Sequence, residues 1–293
     1  MSLYLDHVPI VDYGNSFILI KDHKPFCYDE NKNFIINSND SCYLFNGICN
    51  PPKITTDPIF FDLKVIPFLT HFHTGVHAYS GVYSILYWFI KNNYIQHNYK
   101  IVVYENIQEG ILEVLYELFN KDDIFLLKPD TLYRFSEIRL IPNSLHSFFE
   151  NYEMTYNISN IILTEKIKDN ITNYPKKIAI LKTSDESITS TNGVIDYNLA
   201  EKYCEDNGYV LLKPKILGEI KLINYINNCE EILFSWGTTL IKNFIYLSDN
   251  AKIAKVWVVG KEFNYEYQNA MERNIICNKY KNCTFEYIIN PKI

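Results

Sequence analysis

Arginine is nearly absent. Of the 28 basic residues in this 293-residue chain only three are arginine, Arg134, Arg139 and Arg273. Asn, Ile, Lys and Tyr are abundant instead, the bias an AT-rich genome produces, so lysine and aromatic content alone carries little functional weight. An excess of positive charge is also missing: the net charge is −6, which argues against a general nucleic-acid binder. No segment has the roughly 20 consecutive apolar residues that a membrane-spanning helix needs. The N-terminal MSLYLDHVPIVDYG lacks the basic and long apolar regions of a signal peptide. The seven cysteines are an odd, scattered set with no CxxC pair and no metal spacing, so they read as reduced thiols in a cytosolic, cytoplasmic setting. No internal repeat or low-complexity tract is evident. No convincing Asp-x-Asp stands out either, and Asp122-Asp123 reads as a cap or the approach to a strand.

What is present is apolar. The hydrophobic fraction is 47%, with 15% aromatic, enough for a sizeable core and against disorder. The length fits one large domain or two of about 150 residues. From Lys177 the chain alternates strands and helices with little between them. KIAIL, YVLL, EILFS and KVWVVG are short apolar runs, hence buried strands. Asp196 to Asn207 has helical spacing with Leu199, Ala200 and Tyr203 on one face, and Gly208 is a natural stop. Glu219 to Asn228 is the next helix, with Ile220, Ile223, Tyr225 and Ile226 as apolar positions, and LIKNFIYL the one after. Such alternation means parallel βαβ units.

Parallel sheets of this kind bind ligands at the carboxyl ends of their strands, where the strand order reverses. Two strand-to-helix loops carry suitable chemistry. Lys182, Thr183 and Ser184 follow KIAIL, and Ser235, Trp236, Gly237, Thr238 and Thr239 close or follow EILFS. Gly237 lets a ligand approach the backbone, and the free N–H groups of the first helical turn attract a phosphate. The plainer reading of Gly-Thr-Thr is an ordinary helix cap.

Residues 1 to about 66 read as short strands (FILI, FIIN, CYLF) separated by turn clusters. Val65 to Leu69 is strand-like, broken by Pro67, and Tyr79 to Lys91 is an amphipathic helix burying Val82, Ile85, Leu86 and Phe89. His71, His73 and His77 therefore fall in the loop and first turn before that helix. A metal site would want further carboxylate or Cys ligands nearby, and none is adjacent. The remaining readings are a buried structural His or a catalytic, ligand-contacting one. KIVVY, Ile107 to Asn120, DIFLL and EIRLIPN form a further strand, helix, strand, strand series. Asn151 to Lys176 reads as a linker with a bridging helix, Glu262 to Tyr280 as helical, and CTFEYIIN as a terminal strand.

IAILKTS, GYVLLKPKILGEI and NNCEEILFSWGTTLIKN, together with TGVHAYSGVYSIL in the N-terminal half, resemble glycosyltransferase family 61 over roughly Thr70 to Gly260. The resemblance implies a two-domain Rossmann-like fold of GT-B type. It implies inverting transfer of a sugar from a nucleotide donor, a UDP-sugar foremost, to a hydroxyl of a glycan or glycoprotein acceptor, with no metal and no other cofactor. Lys182 stands where the family has Arg, Trp236 where it has His, and Ser80 or Gly81 where its helix start is acidic. Lys supplies charge without the bidentate fork that grips a phosphate.

The expectation is an α/β chain of two Rossmann-like domains facing a cleft, residues 1–155 on the acceptor side and 156–293 on the nucleotide-sugar side, with an extra β-rich N-terminal segment. Lys182, Thr183, Ser184, Ser235, Trp236, Gly237, Thr238 and Thr239 would hold the donor. His77, then His73, would be the general base that inverting transfer requires. A nucleotide- or glycan-binding homologue without turnover, and a sugar-nucleotide epimerase, stay open beside this.

Overall fold

A computed structural model describes residues 11–21, 24–35, 51–69, 75–141, 158, 162, 167, 173–185, 194–235, 243–248, 250–258 and 283–289. The chain is mixed α/β and divides into two compact units, Met1–Ile158 and Ser159–Ile293.

The first unit is built on a six-stranded sheet in the order β2-β1-β6-β3-β4-β5. The strands are β1 (Val11–Lys21), β2 (Lys24–Tyr28), β3 (Ile59–Pro67), β4 (Tyr99–Tyr104), β5 (Ile124–Leu127) and β6 (Leu132–Leu140). β6, β3, β4 and β5 are mutually parallel, while β1 runs antiparallel to both β2 and β6. Helix α1 (Gly75–Lys91) joins β3 to β4, and α2 (Glu109–Leu118) joins β4 to β5. The sheet curls on itself. Phe125 of β5 lies 5.9 Å, ring centroid to ring centroid, from Tyr133 and from Phe135 of β6, although β3 and β4 separate those strands in the hydrogen-bonded order. The curl encloses a core of Ile18, Ile20, Val65, Val102, Leu127, Phe135 and Ile138. Tyr133 accepts from the Lys128 N–H at 3.1 Å, and the Asp130 N–H donates to the Ile20 carbonyl at 2.8 Å, tying the β5–β6 turn to β1.

Several expectations change here. FILI lies near the C-terminal end of an eleven-residue strand, β1. Of FIIN, Phe34 makes only a single bridge to Tyr28; the end of FIIN and all of CYLF lie outside the described residues. The strand β2 was hidden by Pro25, a residue that cannot donate to a ladder; β2 is an edge strand, where that omission is tolerated. β3 begins at Ile59 rather than Val65; its first six residues, IFFDLK, are half-exposed or exposed, and Asp62 and Lys64 interrupt their apolar run.

The second unit carries a five-stranded sheet, every adjacent pair parallel, in the order β11-β10-β9-β7-β8. Its strands are β7 (Lys177–Ile180), β8 (Val210–Leu211), β9 (Glu231–Ser235), β10 (Ile253–Val258) and β11 (Thr284–Ile289). Helix α3 (Tyr197–Asn207) links β7 to β8, and α4 (Pro214–Leu217) and α5 (Glu219–Asn228) link β8 to β9. The Asp196 carboxylate caps α3 by accepting the Leu199 N–H at 3.1 Å. Gly208 ends the helix at φ 73°, a left-handed conformation that glycine adopts without a Cβ penalty. One sheet face packs Ala179, Leu181, Leu233 and Trp257 with Ala200 and Cys204 of α3. In α5 the buried set is Leu222, Ile223 and Ile226, while Ile220 and Tyr225 are only half-buried. The Glu262–Tyr280 helix lies outside the described residues, and LIKNFIYL is described only from Asn243.

At the amino end of this sheet Glu231 is buried with its charge satisfied. It takes the Lys255 ammonium at 2.8 Å, the Lys177 ammonium at 3.1 Å and the Tyr209 hydroxyl. Burial works to raise the Glu231 carboxyl, but the three hydrogen bonds overcome it and pull the pKa down to about 2. A depressed folded-state pKa stabilises the fold above the unfolded value, and that stability disappears as pH falls through the folded value. The gap between the ordinary 4.5 and about 2 is worth about 3 kcal/mol. Glu231→Gln should therefore lower urea stability by about 3 kcal/mol at pH 6 to 7. Its deficit should shrink between about pH 4.5 and pH 2. A deficit independent of pH would show that the carboxylate charge is not what stabilises.

Candidate functional site

Numbered within the second unit and read from β8, the strand order is 2-1-3-4-5. The order reverses between β7 and β9, and in open parallel sheets the crevice at the carboxyl side of that reversal is where ligands bind. β7 leads directly into Lys182, Thr183 and Ser184, and β9 ends at Ser235. The two hydroxyl-bearing loops picked out in the sequence thus leave neighbouring strands on either side of the reversal. Trp236, Gly237, Thr238 and Thr239 lie outside the described residues.

The two strand ends are joined directly. The Lys182 N–H donates to the Ser235 hydroxyl at 2.6 Å, and Ser235 is fully buried. Ser235 thus holds the β7 and β9 exits in register, rather than standing open to a ligand. Thr183 is also buried; its hydroxyl bonds the Asp185 carboxylate. Ser184 is exposed and its hydroxyl accepts the Tyr197 N–H of α3 at 3.0 Å. The main chain of the loop folds back on Ile195, which accepts from Ser184 N–H at 2.9 Å and donates to the Lys182 carbonyl at 2.8 Å. Lys182 is half-buried, and burial lowers its ammonium pKa.

The sequence reading missed a third exit. The Leu212 N–H donates to the Ala179 carbonyl at 2.8 Å, carrying β8 pairing one residue further, so Lys213 emerges beside the β7 loop. There its ammonium meets the Asp185 carboxylate at 2.8 Å and sits 4.5 Å from the centre of the Tyr197 ring. The hydrogen bond from Lys213, then that from Thr183, holds the Asp185 carboxyl below its ordinary pKa. The signal available in the sequence was the place of Lys213, between an apolar strand and Pro214. Glu219 was read only as a helix residue. It is buried in the first turn of α5 and accepts the Tyr246 hydroxyl at 3.2 Å.

In the first unit β3 stands between β6 and β4, so the parallel part of that sheet also reverses its order at β3. The His71–His77 stretch leaves the carboxyl end of that strand. His71 and His73 lie outside the described residues; His77 is the third residue of α1, and its side chain lies outside them too. Among the described residues no three His, Cys, Asp or Glu side chains group as a metal site. Among them, too, no helix is long and apolar enough to cross a membrane.

Ser235→Ala deletes the acceptor of a half-buried N–H without changing strand pairing. Urea unfolding should register a loss of about 1–2 kcal/mol; an unchanged midpoint would mean that the Lys182 N–H finds water as readily.

No protein-family model matches this chain, and no curated protein sequence matches it either.

Proposed function

We propose that the chain is an inverting glycosyltransferase whose second unit holds a nucleotide-sugar. The observation that carries the reading is the reversal of strand order between β7 and β9, flanked by Lys182–Ser184 and by Ser235, beyond which the sequence leads one to expect a helix start at Gly237–Thr239. A diphosphate over that helix start meets free backbone N–H groups, and Lys182 supplies an ammonium. Trp236 offers an aromatic face to a base or sugar. The two-domain GT-B arrangement is part of this proposal, as are the UDP-sugar donor and the glycan or glycoprotein acceptor. Inverting transfer needs a base that takes the acceptor hydroxyl proton in line with the donor C1, and His77 is that base, with His73 the alternate. A neutral imidazole accepts a proton near neutral pH without environmental tuning.

A panel of UDP- and GDP-sugars separates the rival readings. Free nucleotide released in the presence of acceptor means transfer. Binding with the sugar intact means a module without turnover, and an isomerised sugar means an epimerase.

The donor site has its own test. Gly237→Val should abolish nucleotide binding while the fold is retained, because a branched side chain blocks the close backbone approach. Lys182→Ala should weaken UDP or GDP binding by about 1–2 kcal/mol, the loss of one charge-assisted contact. Calorimetry in which both variants bind like the parent would move the site elsewhere.

For the base, His77→Ala should lose roughly 10²-fold or more in transfer rate with nucleotide affinity almost unchanged. Melting temperature, affinity and turnover are measured on one preparation. A parallel loss of stability and turnover would make His77 structural, and full turnover in a stable variant would remove it from the mechanism.

A further inference from the structure

We propose that Asp185 is a built-in occupant of an anion site, holding the donors that a phosphate of the ligand takes over when it binds. This rests on the reading of the second unit as a nucleotide-binding unit.

The observations are geometric. At the carboxyl edge of the sheet, beside the β7 exit, Asp185 takes the Lys213 ammonium at 2.8 Å, and the neighbouring Thr183 side chain also favours its charged form. These donors come from the exits of two adjacent parallel strands, β8 and β7. Carboxylate and phosphate oxygens take the same donors, an ammonium and a hydroxyl. Lys213 is anchored from a second side by the Tyr197 ring, 4.5 Å from the ammonium, so the cation keeps its place when the carboxylate leaves. Both partners of the pair are about one third exposed, so the bond is screened by water and cheap to exchange. Among the described residues, the only polar partners of Asp185 are those two side chains and its own backbone.

The consequence is a specific competition. In the ligand-free protein Asp185 neutralises Lys213, which prevents an unpaired cation at an edge that already carries Lys182. On binding, a phosphate oxygen replaces the carboxylate at Lys213, and the carboxylate turns to water. Phosphate affinity is thereby set by an internal competitor. Lys213, which lies outside the two loops flanking the reversal, becomes the second cation of the site.

The test is calorimetric titration of UDP, and separately of inorganic pyrophosphate, into the full chain. The variants are the parent, Asp185→Asn, Lys213→Gln and the double variant, each checked by its melting temperature. Asp185→Asn should bind UDP about tenfold more tightly and Lys213→Gln about tenfold more weakly, the weight of one charge-assisted contact. The double variant should match Lys213→Gln, because the gain from removing the competitor depends on the cation it releases. If UDP binds the parent but Asp185→Asn binds no tighter, or gains equally without Lys213, the competition is overturned while the nucleotide reading stands. Pyrophosphate following the pattern while UDP binds to nothing would keep the anion site and overturn the nucleotide reading. If neither binds any variant, both fall.

Discussion

The parallel alignment of β7, β8 and β9 is the constraint on which the second unit depends. Because the strands run the same way, all three chain exits emerge at one edge, and every returning segment must cross a face as helix or long loop. Residues 182–185, 213 and 235 are therefore brought to one edge without being close in sequence. The Ser235 hydroxyl fixes their spacing by accepting the Lys182 N–H across the reversal. A hydroxyl suits that place, because an apolar residue would leave the N–H without its partner where pairing between strands is ending.

The opposite edge does a different job. Glu231 opens β9 and draws in Lys177 of β7, Lys255 of β10 and Tyr209, so three strand starts are clamped by one buried carboxylate. The Tyr209 ring also stands 5.6 Å from Lys177 and 5.9 Å from Lys255. The first unit repeats the device with other residues: the Tyr99 hydroxyl donates to Glu137, which also meets Lys64 at 3.3 Å. In the second unit the buried carboxylate of Glu231 lies at the amino ends of the strands, and the partly exposed Lys213–Asp185 pair at the carboxyl ends.

Legibility followed burial. The second unit could be read from the chain because its inner strands β7, β9 and β10 are largely buried and appear as apolar runs, and helix α3 carries explicit signals, Asp196 at one end and Gly208 at the other. The first unit was harder. Its sheet mixes parallel and antiparallel pairs and curls, so β3 begins in exposed residues and β2 contains a proline. Curling also brings Phe125 against Tyr133 and Phe135, a contact no local pattern announces. At the site, Lys182 and Ser235 were visible as loop residues, but their bond to each other was not. Lys213 was quoted only as one residue of GYVLLKPKILGEI and Asp185 as part of no motif; they are joined only by β8 lying beside β7, which is a fact of topology.

The scarcity of arginine bears on that edge. Two of the three guanidinium groups are committed to structural stacks in the first unit. Arg139 pairs with Asp12 and lies 4.6 Å and 5.0 Å from the Tyr99 and Tyr94 ring centres. Arg134 lies between Phe17 and Phe60 at 5.7 Å and 5.6 Å. Planar, weakly hydrated guanidinium suits such stacking better than ammonium does. The described cations at the reversal are lysines, Lys182 and Lys213, each a point charge without the fork that grips a phosphate in two places. On the proposed reading a phosphate at this edge would meet point charges from two strands, Lys182 after β7 and Lys213 after β8, rather than one fork. Because the Asp185 carboxylate already holds Lys213 at 2.8 Å, an anion site built on that lysine would open by exchanging one oxygen acceptor for another.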